Sequence, residues 1–430
     1  MALVPAMKEM SRKEIPMGVE MKFKHHNFFQ VTVALAILIS SQIACQTLTG
    51  PSATESALAT QTPAPSSPTA AVHLNDDEIE AGIQASLDMY AQSYNENNPA
   101  LLQQVVDQEN KPFRRIVTSR FDDFQNSSQA PTGTFDYSLI SIHKREFGYV
   151  IAQFRTAGGY QADWPFQLAN GIWVLTEPTV EQVGAPVITD TEHFTFTTYP
   201  WADDVNQQIM DMMEIARTNT EKVLGQAPAE KADVKIMPIY GLSPFNPMNA
   251  IALYNKNGGL ENTIEVYTPS SFAYGFYDPS IGWDGELQRT LTHEYTHMTH
   301  ARVFDNAGRL SDWMSEGLAE YVAGADENLY WACDSARSGT IIPILDERDV
   351  LAKQDLMHMY LLEKDFGLSY SFAHSLVSFT VENHGGLDGF WKLANALDDT
   401  GDFKKAVQKA FGISYEEYDQ NWREWLKQQC

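Results

Sequence analysis

The pentapeptide His293-Glu294-Tyr295-Thr296-His297 constrains this chain more than any other stretch. Residues four apart on an α-helix share a face. At about 100° per residue the two histidines point about 40° apart, so both imidazoles can reach one metal ion. Leu287, Leu291 and Met298 fall together on another side and read as a packing stripe. Leu287–Ala301 is therefore expected to be an amphipathic helix, with one side for the core and one for chemistry. Glu294, between the histidines, sits where a carboxylate can take a proton from a metal-bound water.

Eighteen residues separate His297 from Glu316, which lies in Trp313-Met314-Ser315-Glu316-Gly317-Leu318-Ala319-Glu320-Tyr321. Catalytic zinc usually keeps three protein ligands and one open position, and a glutamate on a second helix would supply the third ligand. This spacing, followed by E-G-x-A-E-Y, resembles the gluzincin metallopeptidases of the peptidase MA-like group. The resemblance implies a Zn2+ cofactor, with His293, His297 and Glu316 as metal ligands and Glu294 as general base. Glu320, one turn beyond Glu316, is expected either to orient a ligand histidine or to face solvent.

The resemblance extends over residues 190–430. It includes Tyr370-Ser371-Phe372-Ala373-His374-Ser375-Leu376-Val377-Ser378-Phe379 and the ending Tyr415-Glu416-Glu417-Tyr418-Asp419-Gln420-Asn421-Trp422. Related gluzincins often bind the oxyanion with a tyrosine downstream of the glutamate ligand. Tyr370 is the expected counterpart, with Tyr360 and Tyr321 as rivals. The aminopeptidases of this class carry G-x-M-E-N upstream of the metal helix. Here Pro247-Met248-Asn249-Ala250 lacks that glutamate, which tilts the expectation away from aminopeptidase action.

The chain's beginning reads as an export device. Lys22, Lys24, His25 and His26 precede the apolar run Phe28–Ile39, the order of a signal peptide over residues 1–44, with Met21 a second candidate start. Ile43-Ala44-Cys45 resembles a bacterial lipobox, with Gln42 departing from the pattern, and implies lipidation of Cys45. Residues 46–72 are nearly all Ser, Thr, Ala, Pro and Gln, a composition that cannot bury a core. They are expected to tether a folded body to the outer face of a membrane.

The folded part is expected to be multidomain α+β. Over 73–180, a helix capped by Asp76-Asp77 and carrying Ile79, Ile83, Leu87 and Tyr90, then helices at Pro99–Val106 and Phe113–Phe124, precede strands at 136–144, 147–156, 161–169 and 171–176. Gly158-Gly159 and Asn170-Gly171 punctuate those strands as hairpin turns. Helices followed by a curved antiparallel sheet resemble the nuclear-transport-factor-like (cystatin-like) cone. Arg114, Arg115 and Arg120 are expected on a solvated helix face rather than in a pocket of that cone. Val180–Ile188 reads as a linker. Over 189–430, a mixed sheet with strands at 192–198, 234–239, 250–254 and 263–267 leads into the H-E-x-x-H helix. A C-terminal helical bundle follows, including a helix over Asp346–His358. An edge strand, Ala250–Tyr254 or Thr263–Tyr267, is expected to hold substrate backbone.

Charge and cysteines narrow the function. The formal net charge of −26 and pI near 4.7 argue against nucleic acid as a partner, since a basic face could not easily dominate. Of three cysteines, Cys333 and Cys430 remain beside Cys45, and export to an oxidising compartment would let them form a disulfide. His300 shares a face with His293 and reads as a surface or hydrogen-bonding histidine rather than a contact to substrate or to a ligand ring. His374, four residues after Tyr370, reads as a core histidine rather than part of the site, and His358 and His384 have no ligand spacing to another histidine. The expected function is a zinc metallopeptidase outside the cytoplasm, acting on peptide bonds, its oligomeric state open. The alternative is a catalytically inactive surface lipoprotein with a zinc site and a binding or substrate-presenting front domain.

Overall fold

A computed structural model describes residues 74–126, 134–243, 251–254, 262–304, 310–324, 326–346, 354–362 and 366–430. The expected signal segment, Cys45, the tether and the Met248 region lie outside the described residues. Three helices open the fold: α1 (Asp76–Asn95), α2 (Pro99–Val105) and α3 (Lys111–Asn126). The start of α1 is a capping box. The Asn75 side chain accepts from the Glu78 N–H at 2.9 Å, and the Glu78 carboxylate accepts from the Asn75 N–H at 2.8 Å. Asn75, rather than the expected Asp76-Asp77 pair, thus closes the orphan donors of the first turn. Ile79, Ile83, Leu87 and Tyr90 are buried along one side.

These helices pack on a four-stranded antiparallel meander, β1 (Tyr137–Lys144), β2 (Tyr149–Thr156), β3 (Gln161–Ala169) and β4 (Ile172–Leu175). Asn170 and Gly171 both have positive φ, as the two-residue hairpin between β3 and β4 demands. The core between helices and sheet is aromatic: Tyr90, Tyr137, Phe154, Trp164 and Trp173 are all buried.

The second sheet has five strands in the order β5-β6-β7-β9-β8: β5 (Val187–Asp190), β6 (Phe194–Thr198), β7 (Ala232–Met237), β8 (Ala252–Tyr254) and β9 (Thr263–Tyr267). β6, β7 and β9 run parallel, while β5 and β8 pair antiparallel at the two edges. The end of the expected linker therefore belongs to the sheet: Val187 and Ile188 pair with Thr198 and Thr197. Two helices pack on this sheet, α4 (Asp203–Leu224) and α5 (Gly282–Val303). Ile209, Met213 and Ala216 from α4 and Leu287, Leu291 and Met298 from α5 meet Phe196, Val234, Ile264 and Val266.

The rest is helical: α6 (Asp312–Ala323), α7 (Asp326–Ser338), a 3-10 stretch at Leu356–Leu361, α8 (Phe366–Asn383), α9 (Leu387–Thr400), α10 (Phe403–Phe411) and α11 (Tyr415–Gln429). Of the helix expected over Asp346–His358, residues 347–353 lie outside the described residues, and Leu356–His358 belong to the 3-10 stretch. Asp355 is buried and accepts hydrogen bonds from the Asp346 N–H and from both the N–H and ring of His358. A side chain that bonds nearby backbone in this way competes with helix continuation. Cys333 on α7 and Cys430 at the chain end are joined by a disulfide. α6 and α8 approach closely at Gly317, where an added Cβ would lie 2.5 Å from the carbonyl oxygen of Ala373.

The two sheets share a core. Met237, Tyr240, Tyr267 and Phe272 pack into the aromatic cluster of the first sheet. Gln161 and Tyr277 exchange backbone hydrogen bonds of 2.9 and 2.8 Å. Glu177, buried just past β4, accepts from the Tyr240 N–H, the Ser271 hydroxyl and the Phe272 N–H at 2.8, 3.0 and 2.9 Å. Arg120 is not on a solvated face. It donates to the Phe272 carbonyl oxygen at 3.1 Å and lies 4.5 Å over that ring. Arg114 bonds Gln108 locally and Arg115 is exposed.

Two predictions follow from this packing. Gly317→Ala forces backbone apart between α6 and α8, so it should lower unfolding free energy by roughly 1–3 kcal/mol, measured by chemical denaturation. Burial pushes the Glu177 carboxyl up to about 7, against its three accepted hydrogen bonds and nearby Arg120. Between the ordinary value of 4.5 and about 7, the folded chain binds a proton that the unfolded chain has released. Stability must then fall as pH rises through that window and level off above it. Relative to Glu177→Gln, the native protein should lose about 3 kcal/mol between pH 5 and pH 8; equal slopes would refute this.

Candidate metal centre

The expected helix forms and is buried where the packing stripe said it would be: Leu287, Leu291 and Met298 have no exposure. Its other side carries His293 and His297 toward α6. There Glu316 enters between them, one turn into a helix whose preceding residue Ser311 is extended. The three ligand atoms form a compact triangle. His293 Nε2 is 3.0 Å from His297 Nε2, and each lies 3.2 Å from Glu316 Oε2. Among the described residues, this is the group of histidine, cysteine and carboxylate atoms that can hold a metal ion.

Each ligand ring has a partner behind it. His293 Nδ1 lies 3.0 Å from Glu320 Oε1. The solvent-facing alternative for Glu320 is therefore not what the structure shows. His297 Nδ1 lies 3.2 Å from Ser315 Oγ and 3.2 Å from His300 Nε2. Ser315 carries no recognisable signal of its own beyond standing directly before Glu316. One short helix thus presents Ser315, Glu316 and Glu320 to the two histidines of the other.

The electrostatics follow from this burial. For His293, burial opposes a charged ring, but Glu316 and Glu320 outweigh it and raise its pKa well above the usual value. Burial likewise works against an ionised Glu316, yet the His297 and His293 rings hold it well below the carboxylate range. Glu320 is also held low, chiefly by its bond to His293 against the cost of burial. Glu294 goes the other way. Burial raises it, against the pull of both histidines and of a hydrogen bond from the Tyr254 N–H. That bond, 2.8 Å to Glu294 Oε2, comes from β8, which lies at the sheet edge while β9 is interior. Of the two strands expected to meet substrate, the structure therefore places β8 beside Glu294.

Tyr370, near the start of α8, sets its ring 6.4 Å from the His293 ring. Its rival Tyr321 faces His374 instead, with ring centroids 6.4 Å apart, and the side chain of Tyr360 lies outside the described part. His374 is buried, and its charge helps hold Glu320 low. His384 stacks on Phe411 at 4.1 Å, and His358 is bound to Asp355.

Residues 274–428 match the family model of the Peptidase MA superfamily. That span contains the two helices that bear His293, His297 and Glu316, as well as Tyr370 and the helical region that follows, and it points to a peptidase-like metalloprotein. No curated protein matches the chain.

Proposed function

We propose that this protein is a zinc metallopeptidase that hydrolyses peptide bonds outside the cytoplasm. The observation that carries the reading is the ligand triangle with a buried carboxylate, Glu294, on the same helix. Ligands at tetrahedral corners around zinc, at about 2.0–2.1 Å, lie roughly 3.3–3.4 Å apart. The observed edges of 3.0–3.2 Å come close to this. Two imidazoles and one carboxylate suit zinc better than the all-oxygen sets of calcium or magnesium. Bound there, zinc supplies Lewis acidity toward the scissile carbonyl and a lowered pKa for attacking water.

The chain's own residues do the rest. Glu294 accepts the proton of the attacking water and delivers it to the leaving amine. Burial, which raises its pKa above the ordinary carboxylate value, makes the protonated form easier to reach for the second transfer. The Tyr254 N–H fixes Oε2, so Oε1 takes the proton. The edge of β8 aligns an extended substrate by strand addition. The Tyr370 hydroxyl donates to the oxyanion.

Export fits the disulfide between Cys333 and Cys430, since such bonds persist in oxidising compartments. Lipidation of Cys45 and the tether after it would hold the enzyme at a membrane surface, with the front domain between tether and active site.

Glu294→Gln should keep its zinc and lose hydrolysis of a fluorogenic peptide library by roughly 10²–10⁴-fold. Full activity in that variant would overturn the assignment of the base. Absence of cleavage by zinc-loaded native protein would favour a non-catalytic binding role.

A further inference from the structure

α5 carries a third imidazole on the side that bears the ligands. His300 lies three residues past His297 and is 5% exposed, so neither solvent nor substrate reaches it readily. Its Nε2 is 3.2 Å from His297 Nδ1 and 3.2 Å from Ser315 Oγ, and Oγ is itself 3.2 Å from that Nδ1. His297 therefore stands between two triangles. Its Nε2 belongs to the ligand triangle and its Nδ1 to this second one.

Proton counting decides what the second triangle does. A neutral imidazole that offers a lone pair at Nε2 carries its proton on Nδ1. That proton needs an acceptor, either His300 Nε2 or Ser315 Oγ. If Oγ accepts it, the serine hydroxyl still has its own proton to give, and His300 Nε2 is the acceptor in reach. In both arrangements His300 Nε2 offers the lone pair, which puts the proton of a neutral ring on the buried Nδ1.

We propose that His300, with Ser315, is the positioning residue for ligand His297: it fixes the tautomer and the ring plane that turn Nε2 toward the metal. The two ligand histidines are then held by different chemistry. His293 leans on the carboxylate of Glu320, and His297 on an uncharged imidazole–hydroxyl pair. The proposal rests on the reading of the ligand triangle as a zinc site, and it does not depend on the substrate.

The test uses the whole folded protein. In protein labelled with 15N-histidine, long-range proton–nitrogen correlation at neutral pH should show His300 as the neutral Nδ1–H tautomer, its signals identified by their loss in His300→Gln. An Nε2–H tautomer or an imidazolium would overturn the proposal. Zinc affinity by chelator competition provides the second readout. His300→Phe, which keeps the shape but has no acceptor, should weaken zinc binding about 10–100-fold. His300→Gln, whose amide oxygen can accept, should recover most of that. Native affinity in His300→Phe would overturn the proposal, as would failure of the glutamine to rescue. Should His300→Phe not fold, Ser315→Ala and the native tautomer carry the decision. Native protein that binds zinc but cleaves no peptide would sink the peptidase reading alone.

Discussion

Three ligand atoms within 3.2 Å of one another, buried between α5 and α6, are the constraint on which the rest of this molecule depends. Two lone-pair nitrogens and a carboxylate oxygen do not gather in a protein interior without compensation. A shared cation would provide it, and protonated histidines would provide a partial substitute. Either way, the two helices must be held at a fixed distance and rotation. Much of the surrounding structure serves that end. Gly317 lets α8 press on α6 backbone to backbone. Leu287, Leu291 and Met298 anchor α5 on the mixed sheet. Behind the ligands, Glu320, Ser315 and His300 set the ring planes.

The front sheet takes part in this. The segment from Thr268 to Tyr277 runs directly into α5, and the first domain grips it at several points. Phe272 is sunk in the aromatic core beside Trp164, with ring centroids 5.0 Å apart. Glu177 receives the Phe272 N–H, while Arg120 binds the Phe272 carbonyl oxygen. Tyr277 is paired with Gln161 through backbone and donates its hydroxyl to Asp163 at 2.9 Å. The entry of α5 is thereby tied to a sheet more than a hundred residues earlier in the chain. A change inside the front core has a mechanical route to the ligand helix.

Local periodicity made the elements legible, and motif spacing made legible the three side chains that meet between α5 and α6. The four strands of the first sheet and the helix at 293–297 carry alternation or a 3.6-residue repeat that depends only on neighbours in sequence. His293, His297 and Glu316 are recognisable because one helical turn and one inter-helix step fix their separation. What stayed hidden depends on distant partners. Arg120 looks like a solvated arginine until the Phe272 carbonyl arrives from 152 residues away. β8 and β9 read alike as strands, and only the order of pairing places β8 at the edge. Val187 and Ile188 lie in a stretch rich in proline and glycine, so pairing with β6 could not be read from them alone. Ser315 has no residue pattern that distinguishes it from any other helix serine.

The most direct test of the central claim is metal stoichiometry. Purified protein spanning residues 73–430 would be dialysed against buffered zinc and assayed by elemental analysis, beside Glu316→Ala and His297→Ala. The account predicts about one zinc per native chain and its loss in both variants, as three protein ligands require. Native protein that retains no zinc, or variants that retain as much as the native chain, would contradict it.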